Sequence, residues 1–118
     1  MRDHKKLRAF ELADQVVMEV YRTTRNFPKD ELFGLTSQIR RASVSTASNI
    51  VEGCARHSES DFLRFLDMAY GSSKELEYQL SIAERLAYSN ELAPIRGACD
   101  ETAKVLNGLM RSLRSSQS

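Results

Sequence analysis

Apolar residues recur at alternating steps of three and four through four successive windows of the chain, the period of a helix that buries one face. The first stripe is Phe10, Ala13, Val17, Val20, Thr24 and Phe27, and Pro28 stops it because proline cannot continue the hydrogen-bond ladder. Asp30 and Glu31 then place negative charge at a helix N-terminus, ahead of Leu32, Leu35, Ile39, Ala42, Thr46, Ile50 and Gly53. Ser58 is a natural N-cap with Asp61 three positions on, and the third stripe follows as Phe62, Leu66, Ala69, Ser73, Leu76, Leu80, Ala83 and Ala87, widened by Leu63 and Phe65. Ser89 or Asn90 caps the last, which runs Leu92, Ile95, Cys99, Thr102, Leu106, Leu109, Leu113 and tolerates Pro94 in its first turn. The spacing predicts helices over about 7–27, 30–56, 59–88 and 90–113, with mobile ends at 1–6 and 111–118. Connections of a few residues force neighbouring helices to be antiparallel, so the expected fold is all-α, an up-down-up-down four-helix bundle in one domain spanning 1–118. No run of β-branched residues with period two argues for a sheet.

The length of 118 residues, 42% of them hydrophobic, is enough for one core and leaves no room for a second domain. No apolar run approaches the roughly 20 residues of a membrane span, and the polar start lacks a signal-peptide core, so a cytoplasmic protein is expected. Cys54 and Cys99 are too few for a disulfide framework or a CxxC site and read as buried thiols. The formal charge is only +1, so any nucleic-acid binding needs a local patch. Arg2, Lys5 and Lys6 make the start basic, Arg111 and Arg114 make the tail basic, and the stretch from Ser58 to Tyr88 is acidic.

The second helix defies local preference. Its centre, Ala42-Ser43-Val44-Ser45-Thr46-Ala47-Ser48-Asn49, is rich in side chains that compete for backbone hydrogen bonds, so tertiary packing must hold it helical. Its small residues read as a seam that lets a neighbour approach closely. Beside the seam, Gln38, Arg41, Ser45, Asn49, Glu52 and Arg56 follow at steps of three and four and form one polar stripe. That stripe suits an interhelical or intersubunit hydrogen-bond network; a solvated face and a nucleic-acid surface using Arg41 and Arg56 are the alternatives. A turn near His57 sets Arg41 roughly opposite the stretch from Lys74 to Glu77, so Glu75 or Glu77 is its expected ion-pair partner across the two helices.

The segment FPKDELFGLTSQIRRASVSTASNIVEGCAR, followed by FLRFLDMAYGSSKELEYQL, resembles the bacterial 23S rRNA intervening-sequence proteins, also called the four helix bundle protein family. The likeness covers about Leu7 to Leu92. Its most specific elements are Phe27-Pro28, Leu35-Thr36-Ser37-Gln38 with Arg40-Arg41-Ala42, Ser48-Asn49-Ile50 with Glu52-Gly53, and Gly71-Ser72 with Glu75-Leu76-Glu77. Ala47 replaces a usual proline, and Ala9-Phe10 stands where an aromatic pair or tryptophan is usual. The resemblance implies a homopentamer of four-helix protomers, of the kind encoded inside intervening sequences of large-subunit rRNA genes. It also implies a fold similar to the accessory variability protein of diversity-generating retroelements, a barrel that binds nucleic acid and a reverse transcriptase. It supplies no mechanism.

Catalytic signals are thin. The two histidines fall at a chain end, His4, and at a turn, His57, and no Ser, His and acid set assembles. Cys54 and His57 at i and i+3 lack the second pair that a structural zinc site needs. The carboxylates of the third helix lack Glu-x-x-His repeats, and no Gly-rich phosphate loop is present. No catalytic, cofactor or metal residue is assigned, and neither a small-molecule substrate nor a membrane is expected. The expectation is a non-enzymatic homo-oligomer that binds RNA or DNA through Arg2, Lys5, Lys6, Arg40, Arg41, Arg56, Arg111 and Arg114. The alternative is a scaffold with a protein partner. Gln38, Arg41, Ser45, Asn49, Glu52, Glu75 and Glu77 are the expected polar network.

Overall fold

The structure, a computed structural model, describes residues 1–117, with side chains to 116. Four α-helices follow one another: α1 (Arg8–Thr24), α2 (Leu35–Cys54), α3 (Glu59–Arg85) and α4 (Leu92–Gln117), with short 3₁₀ turns at His4–Lys6 and Lys29–Glu31. The described residues form no strand. Cross-links between helices fix their directions. Ser45 meets Ser72 at 3.0 Å while Gly53 lies against Phe65, so α2 and α3 are antiparallel. Ser73 with Cys99 and Glu84 with Arg96 set α4 antiparallel to α3, and Arg8 with Glu101 and Arg22 with Glu91 set α1 antiparallel to α4. Each long helix packs on two neighbours and not on the one diagonally opposite, which makes an up-down-up-down bundle of 48 × 20 × 20 Å.

Helix ends differ from the sequence reading where side chains take over from the ladder. The second helix starts at Leu35 rather than 30, because residues 29–31 tighten into a 3₁₀ turn. Glu31 still serves its N-terminus from outside, accepting the Leu35 N–H at 3.1 Å. Ser58 caps α3 by accepting the Asp61 N–H at 3.0 Å. That helix closes early: Ala87 adopts φ 59°, its N–H bonds Glu84 O, and the Tyr88 N–H bonds Ala83 O, a Schellman closure with alanine where glycine is usual. Ala87 is therefore exposed rather than part of the third stripe. Ala87→Gly is expected to raise stability in urea unfolding by about 0.5–1 kcal/mol by relieving the left-handed strain. A lower midpoint would contradict that origin. The last helix outruns its expected end at 113 and continues to Gln117; Ser118 lies outside the described residues.

The core divides into two apolar clusters, one around Ile50, Phe62, Leu66 and Leu106 and one around Val20, Ile39, Leu80 and Ile95. In α1 the buried face centres on Ala9, Ala13, Val16 and Val20, which leaves Phe10 and Val17 half-buried at its edge. A layer of buried hydroxyls, Ser43, Thr46, Ser73 and Thr102, separates the clusters. Thr46 and Thr102 donate to carbonyls four residues back and Ser43 to one three back, whereas Ser73 Oγ donates across helices to Cys99 O at 3.1 Å. Within α2 these local bonds satisfy Ser43 and Thr46, side chains that weaken the helix's own preference, whereas Thr36 Oγ1, buried in its first turn, is left without a partner. The seam is tight at Gly53, where a Cβ would stand 2.9 Å from Phe65 Cβ.

Candidate functional site

Along the outer side of that seam, α2 and α3 splay into a groove of about 380 Å³. Gln38, Arg41, Ala42 and Ser45 form the α2 wall, and Ser72, Glu75 and Gln79 form the α3 wall. Steps of three and four on each helix deliver these residues to facing sides. Ser45 and Ser72 share a hydroxyl hydrogen bond, and Asn49 Nδ2 anchors Ser45 by donating to its carbonyl at 2.8 Å and its Oγ at 3.2 Å. Gln79 is only 7% exposed; its Nε2 donates to Glu75 Oε1 at a long 3.4 Å, and its Oε1 has no partner.

The structure brings Gln38, Arg41, Ser45, Asn49 and Glu75 of the expected network to this groove and its edge. Glu52 instead pairs along its own helix with Arg56 at 2.8 Å. Glu77 turns away toward α4, within 3.5 Å of Lys74. The expected Arg41 ion pair does not form with either Glu75 or Glu77: among the described residues Arg41 has no ion pair, because it and Glu75 stand exposed on opposite walls where water screens a pair of little worth. Ser72 and Gln79 were not anticipated, although both lie three or four residues from Glu75 and hence on its face.

A second feature is the end of the bundle where the chain starts. Leu7 and Phe10 pack with Leu109 and Leu113 on one apolar cluster, so the basic start and the basic tail share that end. Arg2 is not mobile there: its N–H donates to Cys54 O at 2.7 Å, and its guanidinium lies 4.0 Å over the Phe62 ring and 3.5 Å from Glu59. Arg56 is held by Glu52 and the Phe65 ring, and Arg64 by Asp61. The local acids are thus engaged, while Lys5, Lys6 and Arg111 are exposed with no ion pair among the described residues. Arg114 follows on the same turn of α4. Arg40 belongs to the opposite half, donating to Thr24 Oγ1 at 2.9 Å over Tyr21, so it is a packing arginine of α1 and α2.

At the far end, Tyr88 Oη donates to Glu31 Oε2 at 2.6 Å and ties the α3–α4 turn to the start of α2. The tyrosine hydrogen bond, helped by the Leu35 N–H, holds the Glu31 carboxyl below the usual range, and the same bond raises Tyr88. The link therefore favours folding above the ordinary carboxylate range and loses that effect as pH falls through the lowered Glu31 value; at the alkaline side it is lost as Tyr88 ionises. In Tyr88→Phe, the Glu31 carboxyl followed by NMR is expected to titrate at higher pH; an unchanged titration would contradict the bond.

Neither thiol is poised for chemistry. Burial pushes Cys99 up to about 12, with Glu77 adding to it, and burial raises Cys54. Cys54 is buried while His57 is exposed, and no group of three or more His, Cys, Asp or Glu that could hold a metal occurs among the described residues. No described helix is long and apolar enough to cross a membrane. An apolar groove of about 370 Å³ runs between α1 and α2, lined by Phe10, Val17, Val44, Ala47 and Val51, with Asp14, Ser48 and Glu52 beside them.

Taken with its helix order, this arrangement defines a small all-α four-helix bundle protein carrying a polar groove and one basic end. Residues 5–108 match the family described as 23S rRNA-intervening sequence protein, and the chain belongs to that family. A solved structure from Bacteroides thetaiotaomicron, a protein with unknown function from the S23 ribosomal protein family, is similar in fold, with a TM-score of 0.79 and 22% identity. The match covers 87% of this chain and 95% of that one. No curated protein matches the sequence.

Proposed function

We propose that the protein is a non-enzymatic, self-assembling bundle of the cytoplasm that binds nucleic acid through its basic end. The observation that carries this reading is the convergence of the two chain ends, with Lys5, Lys6 and Arg111 unspent on local acids. One protomer with a net charge of +1 has a weak field, whereas a ring of copies multiplies the patch. The apolar groove between α1 and α2, with Val44 and Val51 more than a third exposed, is the surface that self-association would cover, and a pentamer is the assembly that the family resemblance suggests. Val44→Glu with Val51→Glu is expected to reduce the mass seen by light scattering to that of one chain. A wild-type mass of one chain, or an unchanged oligomer in the variant, contradicts this assembly.

A scaffold with a protein partner is the second reading, favoured by the Leu32-Phe33 knob, where Phe33 is 93% exposed. It predicts no affinity for RNA or DNA at low salt.

A further inference from the structure

We propose that the groove between α2 and α3 recognises one unpaired guanine base. This deepens the nucleic-acid reading above and rests on it, in that it names a base where the basic end supplies only charge. The groove, about 380 Å³, is within the range of small-ligand sites, yet Ala42 is the single apolar side chain lining it. Its walls instead carry planar groups: the Arg41 guanidinium on α2 and the Glu75 carboxylate on α3, with the Gln38 and Gln79 amides beside them.

Arg41 and Glu75 face one cavity without forming an ion pair, and Glu75 accepts only the long 3.4 Å contact from Gln79 Nε2 on its Oε1, a bond weak enough for a ligand's donors to displace, so a fork of donors and a fork of acceptors both face the groove. A planar ligand that satisfies both must present two adjacent acceptors on one edge and two adjacent donors on another. Among the four RNA bases only guanine does so. Its O6 and N7 accept from a guanidinium fork, and its N1–H and N2–H₂ donate to a carboxylate. Adenine, cytosine and uracil lack one edge or both.

Gln79 adds an independent sign that the groove floor is incomplete. This 7% exposed amide leaves its Oε1 without a partner while its nitrogen makes only the 3.4 Å contact to Glu75. A buried acceptor in that state costs stability, and a turn of the amide would bring it the remaining guanine amino hydrogen. No Lys or second Arg lines the groove, so recognition is of the base rather than of a phosphate. The same edge is offered by a free guanine nucleotide and by a guanine in single-stranded RNA.

The test is calorimetric titration of the full chain with guanosine 5′-monophosphate and its adenine, cytosine and uracil counterparts, with guanosine as a phosphate-free arm. Saturable binding of the guanine nucleotide and of guanosine is expected, with the other bases at least about tenfold weaker. Glu75→Gln and Arg41→Gln are each expected to abolish the preference with an unchanged melt, since neither residue holds an ion pair and both are exposed. No saturation by guanine compounds, equal binding of all four bases, or full binding by both variants overturns the proposal. A guanine-containing oligoribonucleotide that binds where guanosine 5′-monophosphate does not would also overturn the groove as a free-nucleotide site. If it binds no better than oligouridine, the groove fails for strands as well. Oligouridine, lacking guanine, reports the basic end separately, so either reading can fail without the other.

Discussion

Gly53→Val is expected to lower the stability of the bundle by about 2–3 kcal/mol and its thermal midpoint by roughly 10 °C. A Cβ at this position would stand 2.9 Å from Phe65 Cβ, 3.3 Å from Phe62 Cδ1 and 3.4 Å from Phe62 O. The first of these atoms is the stem of a side chain fixed to the α3 backbone, so it cannot swing aside as a flexible tip would. The two helices must separate, and the largest interhelical contact of the bundle, that of α2 with α3, is the one disturbed. Gly53→Ala tests the same point more gently, because alanine's better helix propensity, about 1 kcal/mol, offsets part of the clash. Urea unfolding that leaves the valine variant as stable as the native chain would show that the seam has slack.

The second large effect concerns charge. Lys5→Glu with Lys6→Glu and Arg111→Glu is expected to reduce RNA affinity on the order of a hundredfold at low salt and to flatten its salt dependence by about one unit of slope per lost contact. All three side chains are exposed and outside the core, so the melt should hold. Arg2 is the instructive control. It sits at the same end, but its guanidinium is occupied by Phe62 and Glu59, so Arg2→Ala is expected to act on stability more than on binding. Equal affinity of the triple variant and the native chain would remove the basic end from the binding surface.

The bundle was legible because its apolar spacing follows the helical period, and the capping serine at 58 was legible for the same local reason. Where three-dimensional contacts decide, the sequence misleads. Glu31 looks like the first turn of α2 but acts from outside it, bonded to a tyrosine 57 residues away. Ala87 looks like a core residue because its spacing fits, yet the chain has already turned by a left-handed step there. The polar stripe of α2 was visible as a stripe, whereas its partners were not. Ser72 and Gln79 sit on a helix whose rotation about its axis only the packing against α2 and α4 sets, and the same rotation sends Glu77 to the opposite side of α3. The convergence of the two basic ends required the antiparallel order of all four helices and the docking of residues 2–7 on α2 and α4.

The central proposal is a nucleic-acid surface assembled from copies of a nearly neutral chain. The direct measurement is the affinity for single-stranded RNA and duplex DNA between about 50 and 200 mM salt, taken at a protein concentration where light scattering gives the mass. Binding that weakens steeply with salt, from a particle several chains in mass, is the expected result. A single-chain particle, or one with no affinity at the lower salt, would contradict it.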